Sequence, residues 1–247
     1  MLFDNDFLDQ LRKAKSIVFF TGAGISAESG IPTFRGKDGI WNKLKPEELA
    51  NFNAFLKNPD MVWEWYQHRK TIINETGPNP AHVAIAEFEK YYNDVTVVTQ
   101  NVDNLHRRAG STHVYELHGN IEKNYCIDCL ERFDDTTFEM TGKTVPHCDK
   151  CGGLIRPDIV WFGEFLPQDV FAKGEQKAEN SDICFVVGTS AVVYPAAYIP
   201  LGAKRAGSFL VEVNIEPTEI SSTVDYSLFG KAGEIMPQIL EQVKLFI

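Results

Sequence analysis

Four cysteines stand in two pairs, Cys126-x-x-Cys129 and Cys148-x-x-Cys151, with 18 residues (130–147) between the pairs. That is the spacing of a zinc ribbon, in which two knuckles wrap one tetrahedral ion. Four thiolates close the coordination sphere and leave no position for water or substrate, so the metal is expected to be structural. Disulfides are the poorer reading, because the acidic start of the chain lacks a signal peptide and disulfides are rare in reducing compartments. The fifth cysteine, Cys184, lies inside an apolar run and reads as core packing. His147, beside Cys148, is the weaker alternative ligand.

A second chemical feature is the run Ile17-Val18-Phe19-Phe20-Thr21-Gly22-Ala23-Gly24-Ile25-Ser26-Ala27. Four apolar residues fit a strand buried on both faces. The glycines that follow read G-x-G-x-x-A, with Ala27 in the third small position. Backbone free of side chains lets a pyrophosphate approach, and N–H groups at a helix start can bind it. A glycine turn alone also serves simply to make a tight corner. A dehydrogenase carries an acidic residue about 20 positions on, at the end of its second strand. Here Asp38 and Glu47 fall where there is no strand pattern. The segment therefore suits a nucleotide held in another manner.

Polar clusters follow four further apolar runs. Gln100, Asn101, Asp103, Asn104 and His106 come after Val95-Thr96-Val97-Val98-Thr99. His118-Gly119-Asn120 comes after Val114-Tyr115-Glu116-Leu117. Gly188-Thr189-Ser190 follows Ile183-Cys184-Phe185-Val186-Val187, and Asn214-Ile215-Glu216 follows Phe209-Leu210-Val211-Glu212-Val213. In open α/β sheets ligands bind outside the carboxyl ends of the strands, so five clusters at one edge point to a site there. His118 suits a general base, since an imidazole titrates near neutral pH.

The elements that position these groups alternate between strand and helix, which predicts a doubly wound, Rossmann-like parallel sheet with helices on both faces. Residues 4–15 carry apolar side chains at helical spacing. Asn79-Pro80 makes a helix start, and Ala232, Ile235, Met236, Ile239, Leu240 and Val243 form one stripe of a last helix. Residues 36–78 are rich in aromatics and are broken by Pro46, Pro59 and Pro78, which predicts a few short helices. The expected division is a nucleotide-binding unit (1–35, 79–120 and 156–247), a helical insert (36–78) and a zinc-ribbon insert (121–155).

The 247 residues are 44% apolar and 23% charged, which supports one sizeable core. A net charge of −10 argues against non-specific binding to nucleic acid. No run reaches the roughly 18 apolar residues that span a bilayer, and the N-terminus lacks both the basic start and the apolar core of a signal peptide. A cytoplasmic protein, away from membranes, is expected.

Together these motifs resemble one family, the sirtuins. The match is carried by Gly22-Ala23-Gly24-Ile25-Ser26, Ser29-Gly30-Ile31-Pro32, Phe34-Arg35, Thr99-Gln100-Asn101-Val102-Asp103-Asn104-Leu105-His106, His118-Gly119 and the paired C-x-x-C motifs. Val160-Trp161-Phe162-Gly163-Glu164, Gly188-Thr189-Ser190 and Asn214-Ile215-Glu216 complete it in the family's order. The resemblance implies NAD-dependent removal of acyl groups from lysine, releasing nicotinamide and 2′-O-acyl-ADP-ribose. It implies that the acyl amide oxygen attacks C1′ of the nicotinamide ribose, and that His118 then acts as base on a ribose hydroxyl. Asn101 and Asp103 would line the nicotinamide pocket, with Gln100 and Val102 beside them. Gly22, Ala23, Gly24, Ser26, Ala27, Phe34 and Arg35 would contact the phosphate and ribose side of NAD. Gly188, Thr189, Ser190, Asn214, Glu216 and Ala232 would surround the adenosine half. Val160, Trp161, Phe162, Gly163 and Glu164 would pair as an extended strand with the acyl-lysine peptide.

Tyr66 and Arg69, three residues apart, share a helix face, and a phenol with a guanidinium can bind a carboxylate. Sirtuins that remove succinyl and malonyl groups are similar at this Tyr-x-x-Arg and at Ala50, which matches their pocket-widening alanine. His68, between the two, is expected to point elsewhere. ADP-ribosyl transfer is the main alternative. An acyl-lysine binding module without turnover and a dehydrogenase are less favoured, given His118, Asn101 and Asp103 and the misplaced acidic residue.

Overall fold

The computed structural model describes residues 3–34, 39–42, 45–134 and 143–246. Helix α1 (Asn5–Lys13) is capped by the Asp4 carboxylate and leads into β1 (Ser16–Thr21). The glycine segment then winds as a 3₁₀ helix, Ala23–Ser29, and stops at Gly30, whose φ of 92° favours glycine. After a short 3₁₀ turn (Ile40–Asn42) come α2 (Pro46–Leu49), α3 (Phe52–Lys57) and α4 (Pro59–Asn74). Prolines 46 and 59 are not breakers here. Each opens a helix, where its missing N–H costs nothing. Helix α4 accordingly runs for 16 residues, longer than the short helices expected.

Helix α5 (Pro80–Phe88) starts at Asn79 in a capping box closed by His82. Strand β2 (Asp94–Thr99), the short α6 (Leu105–Arg108) and β3 (Val114–Glu116) follow. Strands β4 (Gly119–Cys126), β5 (Arg132–Asp134) and β6 (Ile155–Ile159) form a separate antiparallel sheet, ordered β5-β4-β6. The chain returns through α7 (Gln168–Glu179), β7 (Ile183–Val187), α8 (Tyr198–Ala206) and β8 (Phe209–Asn214). It closes with β9 (Tyr226–Phe229), a strand not anticipated from the sequence, and α9 (Ala232–Lys244).

The main sheet has the order β3-β2-β1-β7-β8-β9, with every neighbouring pair parallel. Strand β1 lies between β2 and β7, at the point where the winding reverses. Its alternate residues feed two cores. Ile17 and Phe19 pack with Phe7, Phe88 and Ile239 on the side of α1, α5 and α9. Val18 and Phe20 pack with Ala178 and Ile199 on the side of α7 and α8. The apolar run in β1 is thus explained by burial on both faces. A third core, of Phe55, Trp63, Tyr66, Ile121 and Trp161, joins α3 and α4 to the small sheet. Among the described residues no helix is long and apolar enough to cross a membrane.

Candidate active site

All five polar clusters gather at the carboxyl edge of the main sheet. Gly22 and Gly24 are required there by close packing. The Gly24 N–H donates to the Gly188 carbonyl at 2.7 Å. A Cβ on Gly24 would lie 2.7 Å from that oxygen, and one on Gly22 would lie 2.6 Å from Thr189 Cβ. The loops after β1 and β7 therefore touch backbone to backbone. Gln100 spans the same edge, its Nε2 donating to Thr189 Oγ1 at 3.0 Å. Asn214 Nδ2 donates to the Thr189 carbonyl at 3.0 Å. Ala23 and Ser190 are half-buried, Ala27 and Glu216 are exposed, and Ala232 is buried at the start of α9. The backbone of the adjacent Gly233 donates to Glu28 Oε1 at 2.8 Å, which ties α9 to the 3₁₀ segment.

Below this edge lies a buried polar cluster. Ser26 Oγ donates to Asp103 Oδ2 at 2.7 Å, and Asn101 Nδ2 donates to Ser26 Oγ and to the Gly22 carbonyl, both at 3.1 Å. Asp103 also accepts the Leu105 N–H at 3.0 Å. Burial raises the Asp103 pKa, while its hydrogen bonds and the charges of Arg69 and Arg108 oppose the rise. Two histidines complete the floor, His106 from the cluster after β2 and His82, which sequence reasoning missed. His106 Nε2 bonds Thr21 Oγ1 at 2.9 Å, and Thr21 Oγ1 donates to Thr99 Oγ1 at 2.8 Å. Thr99 Oγ1 in turn accepts the Asn101 N–H at 3.0 Å. The His82 ring meets His106 edge to face at 4.8 Å. Burial lowers both imidazole pKa values, that of His82 to about 4. The only sequence sign of His82 is its place in the capping box; its meeting with His106 joins elements 24 residues apart.

His118 lies in the turn between β3 and β4. Its Nδ1 is 2.8 Å from the Gln100 carbonyl, an acceptor only, so Nδ1 carries the hydrogen and Nε2 is left with a lone pair. Burial lowers the His118 pKa, against the opposing effect of that hydrogen bond.

Tyr66 and Arg69 share the inward face of α4, and His68 is exposed. Arg69 is buried, with its guanidinium 4.7 Å from the Phe34 ring centroid and 5.3 Å from that of Trp65. Among the described residues it makes no ion pair within 4.0 Å, although the Asp103 carboxylate is near enough for the two charges to act on each other. Arg35 lies outside the described residues. Val102 is half-buried and packs on the third core together with Ala50.

Residues 160–164 depart from the extended strand expected of them. The Glu164 N–H donates to the Trp161 carbonyl at 3.0 Å, and Gly163 has a φ of 89°, so Trp161, Phe162, Gly163 and Glu164 make a turn. The cause is Glu164, which accepts the Trp161 N–H at 2.8 Å and pairs with the buried Arg156. Two further N–H groups are also held, that of Val160 by the His118 carbonyl and that of Phe162 by the Ala50 carbonyl.

The four cysteine sulfurs of the small sheet lie within 4.8 Å of one another. Cys126 and Cys151 sulfurs are 3.4 Å apart, and those of Cys129 and Cys148 are 3.6 Å apart. Zn–S bonds of about 2.3 Å place tetrahedral sulfurs about 3.8 Å apart, so the set fits zinc with all four positions filled. His147 is turned away, its Nδ1 bonding the Gly152 carbonyl at 2.8 Å.

The Rossmann-like sheet, with a buried acid–amide cluster beside a histidine at its carboxyl edge, suits a nucleotide-binding protein, and the four cysteines suit a structural metal. A family model described as the Sir2 family matches residues 22–195. The NAD-dependent protein deacylase of Pyrococcus furiosus is 51% identical over 238 residues, 95% of each chain. A Sir2 homologue mutant in complex with 2′-O-acetyl ADP ribose superposes with a TM-score of 0.92 at 46% identity, covering 98% of this chain and 97% of its own. A Sir2–p53 peptide–NAD+ complex gives a TM-score of 0.88 at 35% identity, over 99% of this chain and 100% of its own. The chain belongs to the Sir2 family.

Proposed function

We propose that this chain is an NAD-dependent protein-lysine deacylase that acts on acetyl-lysine and on succinyl- or malonyl-lysine. The observation that carries the reading is His118, whose Nδ1 is committed to the Gln100 carbonyl while Nε2 keeps its lone pair at the sheet edge. The donor set suits the dinucleotide: hydroxyl and amide groups of Thr189, Ser190 and Asn214 for a ribose, and Asn101 with Asp103 for a carboxamide. When bound, NAD supplies an electrophilic ribose carbon and the nicotinamide leaving group. Asn101 and Asp103 orient that end and favour developing positive charge. His118 Nε2 takes the proton of a ribose hydroxyl. Gly22, Ala23, Gly24, Ser26, Ala27 and Phe34, with Arg35 in the same role, would contact the phosphates, and Gly188, Glu216 and Ala232 the adenosine. Residues 160–164 present the peptide. Cys126, Cys129, Cys148 and Cys151 hold one zinc, which takes no part in the chemistry.

The acyl preference follows from Arg69. A buried guanidinium lacking a carboxylate partner among the described residues suits an anionic acyl end, with Tyr66 beside it. In this reading, 1–35, 79–120 and 156–247 bind the cofactor, 36–78 shapes the acyl pocket, and 121–155 is the metal module. A net charge of −10 is compatible with peptides whose residues around the acyl-lysine are basic, and not with nucleic acid, in a cytoplasmic setting. The test is incubation with NAD and acetyl-, succinyl- and malonyl-lysine peptides, read by mass spectrometry. Free lysine peptide with 2′-O-acyl-ADP-ribose is the expected result. A peptide or protein gaining ADP-ribose without acyl loss would replace the reading with ADP-ribosyl transfer.

A further inference from the structure

We propose that Trp161 sets the acyl preference by fixing Tyr66 as a hydrogen-bond donor to the acyl group. The proposal rests on the reading of Tyr66 and Arg69 as the carboxylate-binding pair. An indole N–H can only donate. That of Trp161 points at Tyr66 Oη, 2.7 Å away, with both side chains buried. The phenol oxygen is therefore an acceptor on this side, and its own O–H has no acceptor among the described residues. Three residues on, the Arg69 guanidinium is likewise a donor with no carboxylate in ion-pair contact among the described residues. Tyr66 and Arg69 thus both present donors, which matches a carboxylate-ended acyl group and adds nothing for an acetyl group. A residue able to accept from Tyr66 would cancel that polarity.

The indole is itself held in place. The Arg156 guanidinium lies 3.4 Å from the Trp161 ring centroid, and the Phe55 ring is tilted against it at 5.3 Å. Arg156 is 1% exposed and grips Glu164 with hydrogen bonds of 2.5 and 3.0 Å, while Glu164 accepts the Trp161 backbone N–H. Trp161 is thus a positioning residue that acts on the acyl group through Tyr66.

The test places β-(3-benzothienyl)alanine at position 161, which keeps the shape of the indole and lacks its N–H, alongside Trp161→Phe. The quantity read is the ratio of kcat/KM for succinyl-lysine over acetyl-lysine peptide, in the wild-type and Tyr66→Phe backgrounds, with Arg69→Met measured beside them. General damage lowers both activities and cancels in the ratio. With Tyr66 present, loss of one neutral hydrogen bond should lower the ratio about three- to tenfold, and by less than about twofold once Tyr66 is Phe. An equal fall in both backgrounds would make Trp161 a packing residue and overturn the proposal. An unchanged ratio with the isostere, beside a fall in Arg69→Met, would overturn the role of Trp161 and leave the carboxylate pair standing. An unchanged ratio in Arg69→Met would remove the carboxylate reading and the role of Trp161 with it.

Discussion

His118 turns Nδ1 to the backbone carbonyl of Gln100 at 2.8 Å, and in doing so decides which of its nitrogens can act as a base. His118→Ala should lower turnover by at least the ~10²–10⁴-fold typical of a general base, while NAD binding by calorimetry survives. Burial lowers the ring's pKa, so the neutral form persists at acid pH. The acid limb of kcat/KM should therefore fall below the ~6.5 of a free imidazole. Near-normal turnover by the alanine variant would reject the assignment.

The buried histidines make the fold sensitive to acid. His82 titrates at about 4 in the folded chain, against about 6.5 for an unperturbed imidazole. Between those values the unfolded chain binds a proton that the native chain does not, so stability rises with pH and is lost as pH falls from about 6.5 towards 4. His106 acts in the same sense, and the raised pKa of Asp103 in the opposite one. From His82 alone the loss between pH 7 and pH 5 should be about 2 kcal/mol. Urea unfolding at the two pH values measures it, and His82→Gln should reduce the difference. An equal difference in variant and parent would refute this attribution.

The cysteine knuckle should hold about one zinc per chain. Chelation, or Cys126→Ser or Cys148→Ser, should lower the melting temperature, because the metal supplies folding free energy to the small sheet. A fully folded, metal-free parent protein by elemental analysis and circular dichroism would rule the site out.

Arg69→Met keeps much of the side-chain length and removes the charge. Charge-assisted hydrogen bonds contribute roughly 1.5–3 kcal/mol each, so the succinyl-to-acetyl ratio of kcat/KM should fall ~10–100-fold. Tyr66→Phe should move it the same way by less. Steady-state kinetics on the two peptides decides the matter, and equal losses on both would sink the idea.

Much of this molecule is legible in its sequence, for physical reasons that also mark the gaps. Strands β1, β2, β7 and β8 are apolar runs because both faces are buried, and their polar ends mark the site edge. The cysteine spacing carries the small sheet. Helix α4 hides because its buried face includes Arg69 and Lys70, which blur the apolar period, and because Pro59 opens the helix. Strand β9 is four residues at an edge, Tyr-Ser-Leu-Phe, too short to stand out. The turn at residues 161–164 depends on Glu164 meeting Arg156, and the His82–His106 pair on two elements meeting in space. No local pattern encodes either.

Arg156 leaves strand β6 of the metal-bearing sheet and ends on Glu164 in the loop proposed to present the peptide. The two regions should therefore behave as one cooperative unit. Amide protons of the knuckle and of that loop should open together, in a partial unfolding that leaves the six-stranded sheet closed. A chain that sheds its metal would still hold its dinucleotide and yet be blind to its substrate.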